Sequence, residues 1–165
     1  MLKIIKVNQT GKRLPAVVDE KKWLGAVVKL LKKSDWVVPE KGMIEFYLVN
    51  QEEIRALNKQ YRDKDKETDV LSFGFMGEEK FPGDDMVGQI FLCPEIANKQ
   101  AMERKGLVKE EMEFLLVHAL LHVFGMDHES QTDFQKMFNW QLQLFPETKW
   151  RDYVELISLE SFGSK

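Results

Sequence analysis

The chain has 165 residues, of which 27 are acidic and 24 basic, and its formal net charge is −3. The length suits one domain of ordinary size, and a composition of 44% hydrophobic and 31% charged residues excludes a chain that is disordered throughout. The slight acidity argues against a highly basic, nonspecific nucleic-acid coat, although it is compatible with a local basic groove.

Cysteine content and the apolar runs predict the compartment. Cys93 is the chain's one cysteine, so no internal disulfide can form and a reducing compartment is expected. The first residues interrupt apolar side chains with lysines and so lack the apolar segment of an export signal. The longest apolar run, residues 114–126, contains two histidines and is shorter than the roughly 20 apolar residues of a membrane span. We therefore expect a cytoplasmic protein that does not cross a membrane.

In the first half of the chain, strands and helices are predicted to alternate, because segments of alternating polarity are followed by apolar stripes at helical spacing. The predicted elements are a strand at 2–7, a helix at 15–33, a strand at 43–49, a helix at 51–61, a loop at 62–68 and a strand at 69–75. Asn50 and Glu53 resemble a capping box that opens the second of these helices.

The second half is predicted to be mainly helical. The predicted elements are a strand at 87–93 and helices at 94–106, 109–124 and 130–144. Pro94 suits a first helical position, Gly106 a helix end and Ser130 an N-cap. The helix at 109–124 opens with glutamates and is nearly all apolar afterwards, which indicates a central, buried helix. Residues 147–165 are interpreted as a possible C-terminal extension of a single domain spanning 1–165, since no linker or repeat divides the chain.

All three histidines fall in one short segment at the end of the central helix. His118 and His122 are four residues apart, so their rings project from one helical face and can bind one metal ion. Gly125 permits a left-handed turn that reverses the chain and returns His128 as a third ligand. Three nitrogen ligands leave one coordination position open, as in catalytic rather than structural zinc sites. We therefore predict one Zn²⁺ per chain, although imidazole ligands also suit nickel and copper.

The histidine spacing also matches the H-E-x-x-H-x-x-G-x-x-H segment of metzincin proteases. Ala119 stands where those proteases have a glutamate that acts as general base, and an alanine side chain cannot transfer a proton. A peptidase of that type is therefore disfavoured, with Asp127 and Glu129 left as alternative bases.

Two segments resemble the YbeY-type endoribonucleases of bacteria. The zinc segment of that family, H-G-x-L-H-L-x-G-Y-D-H, is matched at His118, Leu121, His122, Gly125, Asp127 and His128. A second family segment, L-N-x-x-Y-R and then T-D-V-L-S-F, is matched by residues 57–62 and 68–73. The chain departs from the family pattern at Gly74, Gln89, Ala119, Val123 and Met126. Gln89 replaces an acidic residue, which puts any role of that acid in doubt here.

The resemblance implies an α/β fold of α+β type, with a mixed four-stranded sheet, about five to six helices and the zinc helix at the centre. It implies a zinc-dependent, single-strand-specific endoribonuclease of 16S rRNA 3′-end maturation and ribosome quality control. The expected partners are single-stranded or ribosomal RNA, the small ribosomal subunit and its assembly factors. His118, His122 and His128 are the implied metal ligands and catalytic residues, and Arg62 is implied to clamp a phosphate.

Two other functions stay open on the sequence alone: a metal hydrolase of another substrate class, such as a peptidase or amidase, and a non-enzymatic zinc-containing ribosome assembly factor. The supporting residues are also open. Asp69 and Asp127 are alternative partners for a metal-bound imidazole. Phe73, Phe75 and Phe81 are candidates for base stacking, although core packing is the commoner role. A basic rim for RNA and a solvated surface are alternative interpretations of the basic residues Lys59, Arg62, Lys64, Lys66, Lys99, Arg104 and Lys105.

Overall fold

The computed structural model describes residues 1–77, 83–127 and 129–145. In chain order its elements are β1 (Leu2–Asn8), α1 (Glu20–Lys33), β2 (Gly42–Leu48), α2 (Gln51–Arg62), β3 (Val70–Gly74), β4 (Met86–Leu92), α3 (Pro94–Glu103), α4 (Val108–Val123) and α5 (Gln131–Leu144). In these described residues no helix is both long and apolar enough to cross a membrane.

The four strands form one mixed sheet in the order β1-β2-β4-β3. The β1–β2 and β2–β4 pairs are parallel, and the β3–β4 pair is antiparallel. The helix α4 packs against β3, β4, α1 and α3. Its apolar side chains are almost fully buried there, among them Leu116, Leu120 and Leu121. The predicted mixed four-stranded α/β fold with a central histidine helix is therefore confirmed.

The helix boundaries follow local hydrogen bonding. At α2 the predicted capping box is present, because Glu53 N–H donates to the Asn50 side chain at 2.8 Å and Asn50 N–H donates to the Glu53 carboxylate at 3.0 Å. At α1 the predicted start at residue 15 is wrong. The helix begins at Glu20, because the Asp19 side chain accepts a hydrogen bond from Lys22 N–H and caps the helix there.

The chain divides into two compact units, Met1–Phe124 and Gly125–Lys165. The first unit holds the sheet and α1 to α4. In the second unit the described residues form α5, whose predicted N-cap is confirmed because Ser130 Oγ accepts from Asp133 N–H at 3.1 Å. The predicted extension at 147–165 lies outside the described residues, and the single domain over 1–165 stays a prediction.

Candidate metal centre

Two histidine side chains meet on one face of α4. The Nε2 atoms of His118 and His122 are 3.2 Å apart, and the planes of the two rings are inclined by 77°. Both side chains are half-buried, whereas the helix residues from Phe114 to Val117 and from Ala119 to Leu121 are buried. An otherwise buried helix thus presents two imidazoles toward accessible space.

This separation fits two ligands of one metal ion. Two imidazole nitrogens bound tetrahedrally to zinc at about 2.0–2.1 Å lie about 3.3 Å apart, which follows from the bond length and the tetrahedral angle. The observed 3.2 Å between the Nε2 atoms of His118 and His122 agrees with that value. The same distance also suits a hydrogen bond between the rings, if one nitrogen carries a proton and the other accepts it. The pair is therefore arranged for a shared cation, either a metal ion or a proton.

The third predicted ligand, His128, lies outside the described residues. Within 1–77, 83–127 and 129–145, no group of three or more His, Cys, Asp or Glu side chains is arranged to hold a metal. Asp127 and Glu129, the alternative bases, are both exposed residues of the second compact unit. The structure therefore brings two of the three predicted ligands together, and the third ligand stays a prediction.

Two glycines determine how closely the histidine turn, which is the last turn of α4 and carries His122, approaches the sheet. A Cβ atom added at Gly74 of β3 would lie 2.6 Å from the Val123 carbonyl oxygen. A Cβ added at Gly88 of β4 would lie 2.6 Å from Val123 Cγ1. Both distances are shorter than normal van der Waals contact, so only glycine allows α4 to end this close to the two strands. Because Val123 follows His122 directly, these glycines fix the height of the histidine turn above the sheet.

A tryptophan holds the same end of α4 in place. Trp36, which lies just beyond α1, donates from its indole Nε1 to the Phe124 carbonyl at 2.7 Å. Phe124 is the C-cap of α4, where helix carbonyls lack partners within the helix. The indole therefore satisfies one of these carbonyls and ties the histidine turn to the segment after α1.

Arg62 is the last residue of α2, and it is exposed. The loop after it is tightly turned, since Asp63 has a left-handed φ of 55°. Asn58 is only 3% exposed, and its side-chain amide donates to the Lys66 carbonyl at 2.9 Å. Lys64 N–H donates to the Asn58 carbonyl at 3.3 Å. The Asn58 of the L-N-x-x-Y-R segment therefore shapes the loop that carries the chain from Arg62 to β3.

Asp69 lies at the end of this loop, and its contacts differ from those expected of a histidine-orienting residue. Its carboxylate accepts from Val70 N–H at 2.7 Å and from the Gln100 side-chain amide at 3.1 Å. Its carbonyl accepts from Cys93 N–H at 2.9 Å. Asp69 therefore joins the start of β3 to the β4–α3 junction and to α3.

Burial raises the pKa of the Cys93 thiol, which keeps the thiol protonated at neutral pH.

The basic rim considered for RNA is reduced in the structure. The Asp65 carboxylate pairs with Arg55 at 2.8 Å and with Lys59 at 3.3 Å. These two hydrogen bonds lower the pKa of Asp65, and the bond from Arg55 has the larger effect. Arg104 forms an ion pair with Glu111 of α4, whose side chain is only 2% exposed. The charges of Lys59 and Arg104 are thus used within the protein.

Gln89 has a specific partner in this chain. Its side-chain amide donates to the Glu45 carboxylate of the neighbouring strand at 2.7 Å. The pKa of Tyr47 is raised, first by burial and then by its interaction with the Glu45 carboxylate. An acidic residue at position 89 would face Glu45 with a like charge, whereas glutamine supplies a donor. The departure from the family pattern is therefore matched by Glu45.

The three phenylalanines that are candidates for base stacking lie in different surroundings. Phe73 contacts two rings, with its centroid 5.1 Å from that of Tyr61 and 6.0 Å from that of Phe91. Phe75 is half-buried, and Phe81 lies outside the described residues. Phe73 thus belongs to an intramolecular aromatic cluster, which is the structural role that strand aromatics usually have.

Sequence reasoning missed three positions that support the histidine helix: Gly88, Trp36 and the buried Glu111. Gly88 gave a weak signal, because a glycine inside a strand often marks a close backbone approach. The sequence around Glu111 indicates only that it is one of the acidic residues that suit the start of a helix. Its burial depends on α3, which the sequence of α4 alone does not reveal.

Comparisons with known proteins agree with the motifs. The sequence model of the family described as endoribonuclease YbeY matches residues 6–149. The endoribonuclease YbeY of Staphylococcus saprophyticus is 35% identical over 128 residues, which are 74% of this chain and 84% of that protein. The corresponding protein of Malacoplasma penetrans is 36% identical over 135 residues, 78% of this chain and 89% of that protein. The one from Aquifex aeolicus is 43% identical over 95 residues, 58% of this chain and 62% of that protein. The resemblance inferred from the two motifs is confirmed, and the chain belongs to the endoribonuclease YbeY family.

Proposed function

We propose that this chain is a zinc-dependent endoribonuclease that cuts single-stranded RNA, and that it acts in 16S rRNA 3′-end maturation and ribosome quality control in the cytoplasm. Membership of an endoribonuclease family makes the chain a nuclease, a hydrolase of phosphodiester bonds, with RNA as its class of substrate. The observation that carries the metal dependence is the 3.2 Å separation of the two Nε2 atoms on the accessible face of α4.

His118 and His122 would hold the zinc ion, with His128 as the predicted third ligand. A zinc ion bound there would stabilise negative charge on the phosphate and lower the pKa of a bound water to about 7. Cleavage places further charge on the non-bridging phosphate oxygens, which need a cation. Arg62 suits this role, because a planar guanidinium can donate two parallel hydrogen bonds to a phosphate.

Proton transfer is restricted by the composition. The chain contains three histidines, and all three are assigned to the metal. A proton must therefore move through a carboxylate, through water or through the ribose 2′-hydroxyl of the RNA itself. End-group analysis of the product separates these routes, since attack by the 2′-hydroxyl leaves a cyclic phosphate and attack by water does not.

The test uses purified protein without a histidine tag, loaded with zinc, and a fluorescent single-stranded RNA. We expect His122→Ala to lose both the bound zinc and the cleavage. Arg62→Ala should keep the zinc and the fold and lose about 100-fold or more of the cleavage rate, the usual effect of removing one charge-stabilising group. Arg55→Ala is the matched control, because Arg55 lies on the same helix and pairs with Asp65.

Two outcomes would favour other functions. If the zinc protein hydrolyses peptides or small amides and leaves RNA intact, it is a metal hydrolase of another class. If Arg62→Ala changes only the affinity for RNA, and the wild type binds without cutting, the chain is a non-enzymatic assembly factor. Sedimentation with small ribosomal subunits tests the proposed partner separately from the chemistry.

A further inference from the structure

A groove of about 710 Å³ runs between strand β1 and helix α1. It is lined by one face of α1 and by the first residues of the chain. Its apolar lining residues include Leu2, Ile4, Leu24 and Val28. No residue of the proposed metal centre or of the Arg62 loop lines it, so the groove is a separate feature of the molecule.

Gly25 lines this groove in the interior of α1, where a glycine is unexpected. A Cβ added at Gly25 would meet no atom within 4 Å. The helix is therefore not packed closely against anything at this position among the described residues. Alanine would stabilise the helix relative to glycine, because glycine loses more backbone freedom when it is fixed in a helix. Internal packing therefore does not require Gly25, and the missing side chain leaves room for another chain to approach the helix backbone closely.

The strand beside the groove is an edge of the sheet. Among the strands of the described residues, β1 is the first in the order β1-β2-β4-β3, and within that set only β2 pairs with it. An extended peptide can add to such an edge through main-chain hydrogen bonds, while alternate side chains enter a neighbouring pocket. The apolar lining of the groove suits the apolar side chains of such a peptide.

The rim of the groove is positively charged. Lys3, Lys21 and Lys32 line it, with Glu40 as the acidic residue among its lining residues. Within the described residues, none of the ion pairs uses these three lysines. A local excess of positive charge in a chain of net charge −3 favours an acidic partner.

Two other occupants fit less well. Surfaces that bind single-stranded RNA combine positive charge with aromatic stacking, and no aromatic residue is among those that line this groove. A second copy of this chain would bring another β1 alongside, and with it a second Lys3, which forms no ion pair among the described residues, whereas Lys6 pairs with Glu20. Like charges facing each other across two strands are unfavourable. The apolar lining and the lysine rim together favour a peptide with alternating apolar and acidic residues.

We propose that the β1–α1 groove is a docking site for an extended acidic segment of a partner protein, which adds to the edge of β1 and passes close to Gly25. The probe is a short fluorescein-labelled peptide in which valine and glutamate alternate, and its control has lysine in place of glutamate. Fluorescence anisotropy with the full chain should show binding of the glutamate peptide at least about tenfold tighter than that of the lysine peptide, with added salt weakening it.

Gly25→Leu should fill the groove and reduce the affinity for the glutamate peptide about tenfold or more, while Lys33→Leu, on the same helix outside the groove, should not. Reversing the charge of Lys21 and Lys32 together should weaken binding to a similar extent. Gly25→Ala should raise the melting temperature, which checks that the glycine is not required by the fold. Cleavage of RNA should be unchanged in all these variants, so failure of this proposal is distinct from failure of the proposed nuclease.

The proposal is overturned if the glutamate peptide binds no better than the lysine peptide, or binds Gly25→Leu as well as the wild type. It is also overturned if Gly25→Leu weakens the binding of an RNA oligonucleotide instead, because the groove would then be an RNA surface. Light scattering tests the remaining occupant, since a dimer that Gly25→Leu dissociates would assign the groove to a second copy of this chain.

Discussion

Replacing Arg104 with methionine is expected to destabilise the protein strongly. Arg104 pairs with Glu111, and the Glu111 side chain is 2% exposed whereas that of Arg104 is 24% exposed. Removing the arginine leaves a buried carboxylate without its counter-charge, which costs about 3–5 kcal/mol. At about 2–4 °C per kcal/mol for a chain of this size, the melting temperature should fall by about 6–20 °C.

The two single variants should differ, because only the arginine can reach water. In Glu111→Gln the guanidinium keeps partial access to solvent, so the cost should be smaller than in Arg104→Met. The double variant Arg104→Met with Glu111→Met replaces the pair by apolar side chains and should recover most of the stability. Thermal unfolding followed by circular dichroism measures all three. Equal melting temperatures for Arg104→Met and the wild type would refute the idea that this pair ties α3 to α4.

Three further predictions concern the sheet. Gly74→Ala should destabilise by about 1–3 kcal/mol and weaken zinc binding, because its Cβ meets the Val123 carbonyl oxygen at 2.6 Å; unchanged melting and zinc affinity would contradict this. Gln89→Glu should lower the melting temperature at pH 7 and much less near pH 4, since it places a carboxylate against Glu45; a loss of equal size at both pH values would exclude repulsion as the cause. Ultraviolet titration should find the pKa of Tyr47 above 10.0 in the wild type, and Glu45→Gln should bring this pKa closer to 10.0. The stability that the raised pKa contributes should be present below pH 10 and lost as the pH rises through the Tyr47 pKa of the folded protein.

Local chemistry explains which parts of this fold are predictable from the sequence. The capping box at Asn50 and Glu53 and the cap at Ser130 depend on neighbouring residues, and both predictions are confirmed. The predicted α1 is too long because Val18 has the spacing of the apolar stripe of that helix. Val18 is buried, but it lies before the first residue of the helix. The helix starts after Asp19 because the side chain of Asp19 accepts a hydrogen bond from Lys22 N–H. The apolar pattern contains no information about this hydrogen bond.

The supports of the candidate site depend on long-range contacts and were not predictable. Helical spacing alone placed His118 and His122 on one face, and their 3.2 Å approach follows from it. The close packing of the C-terminal end of α4 depends on Gly88, which lies on a strand, and on Trp36, which is far away in sequence. Neither residue belongs to a local motif of α4, so only the folded structure connects them to the histidines.

The scarcity of histidine makes the central claim directly measurable. Elemental analysis of the tag-free wild type, compared with His118→Ala and His122→Ala, determines whether these imidazoles bind a metal. We expect about one zinc per chain in the wild type and loss of that zinc in both variants, together with loss of RNA cleavage. A wild-type protein that cuts single-stranded RNA at full rate without bound metal would contradict it.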